Sequence, residues 1–102
     1  SKLNKKLIKK VENNLWNVTN WKNKNSTISE IEKIEPEVVF VNKSNMDEFN
    51  ILRQNIHSME YVPNPGRLIK CLVIDKPTGK YLGVLTIASD VVNTVILFTK
   101  KL

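Results

Sequence analysis

Residues 68–88 read LIKCLVIDKPTGKYLGVLTIA, and the reading of this stretch decides the fold. Leu68–Asp75 and Tyr81–Ala88 are dominated by aliphatic and β-branched side chains, which suit a pleated, half-buried surface. The intervening KPTGK, Lys76–Lys80, has turn chemistry: Pro77 fixes φ early and Gly79 is free to take a positive φ. Two strands joined by so short a turn must pair antiparallel. Downstream, Ser89 and Asp90 predict another turn, and Val91–Phe98, VVNTVILF, a further strand. Upstream, Glu37–Asn42, EVVFVN, reads as the first strand of the chain.

Helical spacing appears ahead of and between these strands. Leu3, Leu7, Val11 and Leu15 recur every four residues with Ile8 beside them, predicting a helix over 2–16 with one apolar stripe. Lys2, Lys5, Lys6, Lys9 and Lys10 fall on its other side. Residues 17–27, NVTNWKNKNST, read as a loop, because Asn, Ser and Thr side chains compete with helical hydrogen bonding. Thr27 with Glu30 has capping-box spacing and predicts a short helix with Ile28, Ile31 and Ile34 on one face, stopped by Pro36. Ser44 or Asn45 is positioned to cap another helix, with Asp47 and Glu48 in its first turn and Phe49, Leu52, Ile56 and Met59 on its buried face. YVPNPG, Tyr61–Gly66, is a breaker-rich loop. The expected fold is α+β, with helices packed on a mainly antiparallel sheet of about four strands.

The 102 residues fit one domain, and the formal charge of +6 is unevenly distributed along them. Residues 1–25 hold seven lysines, Lys2, Lys5, Lys6, Lys9, Lys10, Lys22 and Lys24, against the single acid Glu12. Residues 26–102 hold equal numbers of acidic and basic side chains. The chain thus reads as a basic helix-and-loop arm over 1–25 and a single, neutral α/β domain over 26–102. Such segregation points to a polyanion or an acidic protein surface as partner, and equally describes a helix solvated by its lysines. Trp16 and Trp21 flank the basic loop. An aromatic ring beside lysines can stack on bases while the ammonium groups neutralise phosphate. Burial is the competing use, to which Trp16 is assigned, while Trp21 stays open. Lysine rather than arginine predominates, which favours backbone attraction over base reading.

No catalytic set emerges. Cys71, the single cysteine, lies within a strand and its sequence neighbour Lys70 points to the opposite face. His57, the single histidine, has no ligand at metal-binding spacing and reads as a helix-end residue. Asp47 with Glu48, and Glu30 with Glu32, do not face each other on a helix. Arg67 follows Pro65 and Gly66, so a rigid turn can present its guanidinium to a phosphate or carboxylate, or to a plain ion pair with Glu60. These residues predict a non-enzyme without cofactor or metal. The opening SKLNKKLIKK lacks the apolar core of a signal peptide, and no apolar run is long enough to span a bilayer, so a cytoplasmic location is expected.

The segments EVVFVN, FNILRQNI and LIKCLVIDKPTGKYLGVLTIASD resemble the N-terminal half of the GNAT acyltransferase fold over residues 37–90. YVPNPGRLIKCLVIDKPTGKYLGVLTIASDV is similar to phage Mom-type DNA-modification proteins and related proteins of large phages. The acyl-CoA site of that fold needs spaced glycines opening a helix after the fourth strand. Gly66, Gly79 and Gly83 all lie earlier, so the resemblance implies a shortened scaffold without catalysis. Two functional expectations follow. One is a small phage-type accessory or regulatory protein binding nucleic acid through Lys2, Lys5, Lys6, Lys9, Lys10, Trp21, Lys22, Lys24 and Arg67. The other is an inhibitor or regulator of a host or viral protein with an acidic surface. An exposed sheet edge would admit a homodimer.

Overall fold

A computed structural model describes residues 2–54, 68–88 and 92–96. Among the described residues three helices and an antiparallel sheet make an α+β domain, in agreement with the fold class read from the sequence. The order is α1 (Lys2–Asn13), α2 (Lys24–Glu32), β1 (Pro36–Phe40), α3 (Met46–Gln54), β2 (Leu68–Asp75), β3 (Tyr81–Ala88) and β4 (Val92–Ile96). The strands lie in the sheet in sequence order, each antiparallel to its neighbour. Ile56, His57, Met59 and the 61–66 loop fall outside the described residues, as do Arg67 and the predicted strand ends at Val91, Leu97 and Phe98.

The β2–β3 hairpin forms with the bounds its residues predict. Gly79 takes a φ of 70°, and its N–H donates to the Asp75 carbonyl at 2.7 Å. A β-bulge interrupts the ladder between Val73 and Ile74. Asp75, almost fully buried, ties the turn to the chain before β1. One carboxylate oxygen accepts from the Glu35 N–H at 2.9 Å, and the other from the Thr78 hydroxyl at 2.7 Å. These bonds compensate the cost of burying that carboxylate.

Strand alternation sorts the core into two faces. Val39, Leu72 and Val84 are register partners on the first face, where Val11 of α1 and Phe49 and Leu52 of α3 close over them. Val73, with Leu82 from the bulged segment, belongs to the second face and is covered by Trp16 and Val18, with Trp21, Ile34 and Leu85 alongside. The covering is partial. Val38 and Phe40 of β1 and Leu68 and Ile69 of β2 remain exposed.

Residues 11–18 are built into this body. Val11, Trp16 and Val18 are buried within the two clusters. Leu15 forms a parallel bridge with Tyr81. The Trp16 N–H donates to the Tyr81 carbonyl and the Tyr81 N–H to the Asn14 carbonyl, both at 2.8 Å. The first core cluster therefore depends on the helix that carries the lysines.

The second helix corrects the sequence reading. It begins at Lys24, inside the expected loop, and Asn23 is its N-cap: the Asn23 side-chain oxygen accepts from the Ser26 N–H at 3.1 Å. The Thr27–Glu30 capping box does not form. The Thr27 hydroxyl donates to the Asn20 carbonyl, and the Glu30 carboxylate receives the Thr19 hydroxyl at 2.6 Å. In a run this rich in Asn, Ser and Thr several residues can cap, and the tertiary path selects Asn23, four residues ahead of Thr27. Nor is the isoleucine face buried as a whole: Ile34 packs on the second cluster, while Ile28 and Ile31 are exposed. Asn45 precedes α3, but its side chain works backwards, accepting from the Asn42 N–H and donating to the Phe40 carbonyl. Replacing Asn23 with alanine is expected to cost about 1 kcal/mol, read as a lower urea midpoint with unchanged slope.

Candidate nucleic-acid interface

Burial of Val11 fixes how α1 presents its charges. Viewed down the helix, Lys9 lies nearest the pole opposite Val11, with Lys5 and Lys6 to either side of it, and Lys5 and Lys9 are exposed. Lys6 and Lys10 are also exposed, but they border a groove of ≈ 490 Å³ whose lining includes Leu7, Asp47 and Glu48. The acidic first turn of α3 thus offsets part of the field of Lys6 and Lys10, and leaves Lys5 and Lys9 as the clearer cationic pair. Among the described residues none of these four ammonium groups is engaged in an ion pair. The position of Lys2 within α1 is described, but its side chain is not.

The aromatic part of the expected site is set by packing. Trp16 is buried. Trp21 is half-buried against Val18 and its cluster, and its indole N–H donates to the Asn17 side-chain oxygen at 3.2 Å. Its ring therefore has one side in the core and one edge tied down. Lys22 and Lys24 are exposed beside it, next to the N-terminus of a helix that has no acidic residue in its first turn. A positive helix end and two lysines favour anionic groups there. The stretch that bonds to Tyr81 lies in the chain between α1 and this turn. A second cleft, of ≈ 340 Å³, is lined by residues including Trp16, Glu30, Lys33, Asp75 and Lys80. Its charges are mixed, and both carboxylates already accept hydrogen bonds.

A family model described as Druantia protein DruA matches residues 1–94. The chain belongs to the DruA family. The Druantia description makes that family a component of a defence system, and this overturns both the GNAT-like and the phage-protein readings. The segments behind the resemblance were a strand, a helix and a hairpin with a glycine near the start of its second strand. In this DruA-family chain that glycine, Gly83, pairs with Val73 beside the β-bulge, a local irregularity that any antiparallel hairpin can carry. No curated protein and no solved structure matches the chain.

The titratable groups of this DruA-family domain show where its interior is dry. Burial pushes the Cys71 thiol up, which disfavours the reactive thiolate. Among the described residues no cluster of His, Cys, Asp and Glu is arranged to hold a metal ion, and no helix is long and apolar enough to cross a membrane. Burial first, and the Glu48 carboxylate second, push the Tyr81 phenol above its ordinary value. The Glu48 Oε2 is itself buried without a hydrogen-bond partner. Glu48→Gln is therefore expected to lower the Tyr81 pKa towards, but not to, the unperturbed value, as followed by tyrosinate absorbance. A phenol raised in the folded state contributes stability that is complete below its unfolded pKa of about 10 and is lost as pH rises through the folded value.

Proposed function

We propose that this domain is a non-catalytic nucleic-acid-binding module of a Druantia defence component. In this reading it works in the cytoplasm and holds the phosphate backbone through Lys5 and Lys9 of α1. Lys2, Lys6 and Lys10 would strengthen the same helix face, and Lys22 and Lys24 would form a second contact beside Trp21. The observation that carries the reading is the exposed cationic face of a helix whose opposite side is locked in the core. Such a face is rigid, so its lysines are presented at fixed spacing along the helix. It offers no arginine and no free aromatic platform, which fits attraction to the backbone rather than recognition of bases.

The test is fluorescence anisotropy of labelled DNA and RNA against the full chain and the Lys5→Gln/Lys9→Gln variant across a salt series. Wild type is expected to bind at low salt and to weaken steeply as salt rises, because bound lysines release condensed counterions. The double variant is expected to lose about tenfold in affinity, and its salt slope to fall by about 1 for each lysine removed. Both positions are exposed, so the variant should keep the wild-type urea midpoint. Failure of the full chain to bind at low salt, or binding indifferent to the two substitutions, overturns the proposal. Failure to bind would leave an acidic protein surface as the partner of the same face.

A further inference from the structure

Among the described residues β1 is an edge strand, with β2 as its one neighbour in the sheet. The register and two flanking bonds show which of its backbone groups face outward. The Val41 N–H donates to the Lys70 carbonyl, and the Lys76 N–H donates to the Glu35 carbonyl, each at 2.9 Å or less. Across an antiparallel pair, hydrogen-bonded and non-bonded positions alternate. Glu35, Glu37, Val39 and Val41 therefore turn their backbone groups towards β2, and Pro36, Val38 and Phe40 turn theirs outward.

The outward row is irregular in an informative way. Val38 offers both an N–H and a carbonyl. Phe40 offers only its N–H, because its carbonyl already accepts from the Asn45 side chain at 3.2 Å. Pro36 offers only a carbonyl, because proline has no N–H. We propose that this edge pairs with β1 of a second copy, antiparallel, about a twofold axis at Val38. In that register Val38 faces Val38 of the other copy and exchanges two hydrogen bonds with it. Phe40 faces Pro36, and each Phe40 N–H reaches a Pro36 carbonyl. The bond that Pro36 cannot donate would have gone to the Phe40 carbonyl, and that acceptor is the one Asn45 satisfies. An isologous contact needs this kind of self-complementarity, whereas a general strand-adding peptide would leave its N–H opposite an acceptor already in use.

Side chains support the same pairing. Pro36, Val38 and Phe40 share one face of the sheet and are exposed, Val38 by 49 % and Phe40 by 67 %. Pairing lays each Phe40 across the other copy's Pro36, and brings the two Val38 side chains together. Exposed Ile69 lies next to Phe40 on that face, through the Phe40–Cys71 register, and extends the apolar stripe. A five-residue edge is smaller than the interface of a stable dimer, so association should be weak and concentration-dependent.

Sedimentation equilibrium of the full chain under reducing conditions tests this, with concentration raised from micromolar to millimolar. Val38→Lys places like charges opposite each other at the twofold, and Ile28→Lys alters an exposed apolar residue elsewhere, on α2. Far-UV circular dichroism confirms that both variants are folded. The expected result is a monomer–dimer equilibrium in wild type that persists in Ile28→Lys and disappears in Val38→Lys. Wild type that stays monomeric up to millimolar concentration overturns the proposal. So does a dimer that survives Val38→Lys, or one that both variants abolish, since neither outcome depends on the β1 edge.

Discussion

A chain lacking residues 1–25 is expected to lose cooperative unfolding altogether. The stretch looks detachable by charge, because all of the net positive charge lies in it and the remainder is neutral. Packing says otherwise. It supplies Val11 to the cluster under α3, and Trp16 and Val18 to the cluster on the opposite face of the sheet. Burying a large apolar side chain is worth roughly 1.5–3 kcal/mol. Removing several at once therefore approaches the whole net stability of a domain, which is about 5–15 kcal/mol. The deletion also strips the Tyr81 N–H and carbonyl of their partners at Asn14 and Trp16. Circular dichroism during urea titration should show a shallow, midpoint-free change. A sharp transition in the shortened chain would mean that the helix is an appendage after all. The consequence for function is practical: loss of nucleic-acid binding in that deletion would report unfolding, so the lysines must be tested by point substitution.

The sequence made some of this architecture legible and hid the rest, for reasons that lie in the range of the interactions. The β2–β3 hairpin is local: its strand composition, Pro77 and Gly79 lie within 21 residues and point to one answer. The burial of Val11 on α1 is equally legible from its helical spacing with Leu7, but the same spacing runs on to Leu15 and predicts a helix to residue 16, whereas α1 ends at Asn13 and Leu15 turns to Tyr81. The start of α2 was not, since Asn20, Asn23, Ser26 and Thr27 all have cap chemistry, and the choice depends on where the Glu30 carboxylate goes. It goes to Thr19, eleven residues back. The bridge from Leu15 to Tyr81 joins residues far apart in the chain and leaves no compositional trace. The site shows the same divide. Exposure of Lys5, Lys6, Lys9 and Lys10 follows from periodicity, but the distinction within that set comes from Asp47 and Glu48 on a different helix. Trp21 could not be assigned from sequence because the cluster it packs against combines the nearby Trp16 and Val18 with Val73 and Leu82 from the distant hairpin.

Phe49→Ala is expected to lower stability by about 3–5 kcal/mol, the largest effect of any single substitution considered. Phe49 is 0 % exposed and sits where α1, α3 and the sheet meet, in contact with the cluster that holds Val11, Leu52, Leu72 and Val84. Its ring also lies 5.6 Å from the Lys70 ammonium group, a cation–π contact that a partly buried lysine needs more than an exposed one does. Truncation leaves a cavity that two helices and a sheet cannot close without moving together, so the transfer loss and the cavity loss add. Phe49→Leu keeps most of the volume and should cost much less. Phe40 provides the internal comparison: the same residue type, 67 % exposed on the edge strand, should change stability by no more than about 0.5 kcal/mol when replaced by alanine. The two alanine variants are compared by urea denaturation at low protein concentration, where the proposed β1 pairing is dissociated. A large drop in midpoint for Phe49→Ala beside a near-unchanged Phe40→Ala is the expected pattern. Equal effects would mean that the α1–α3 layer does not close over the sheet as described, and the rigid lysine face that rests on that layer would go with it.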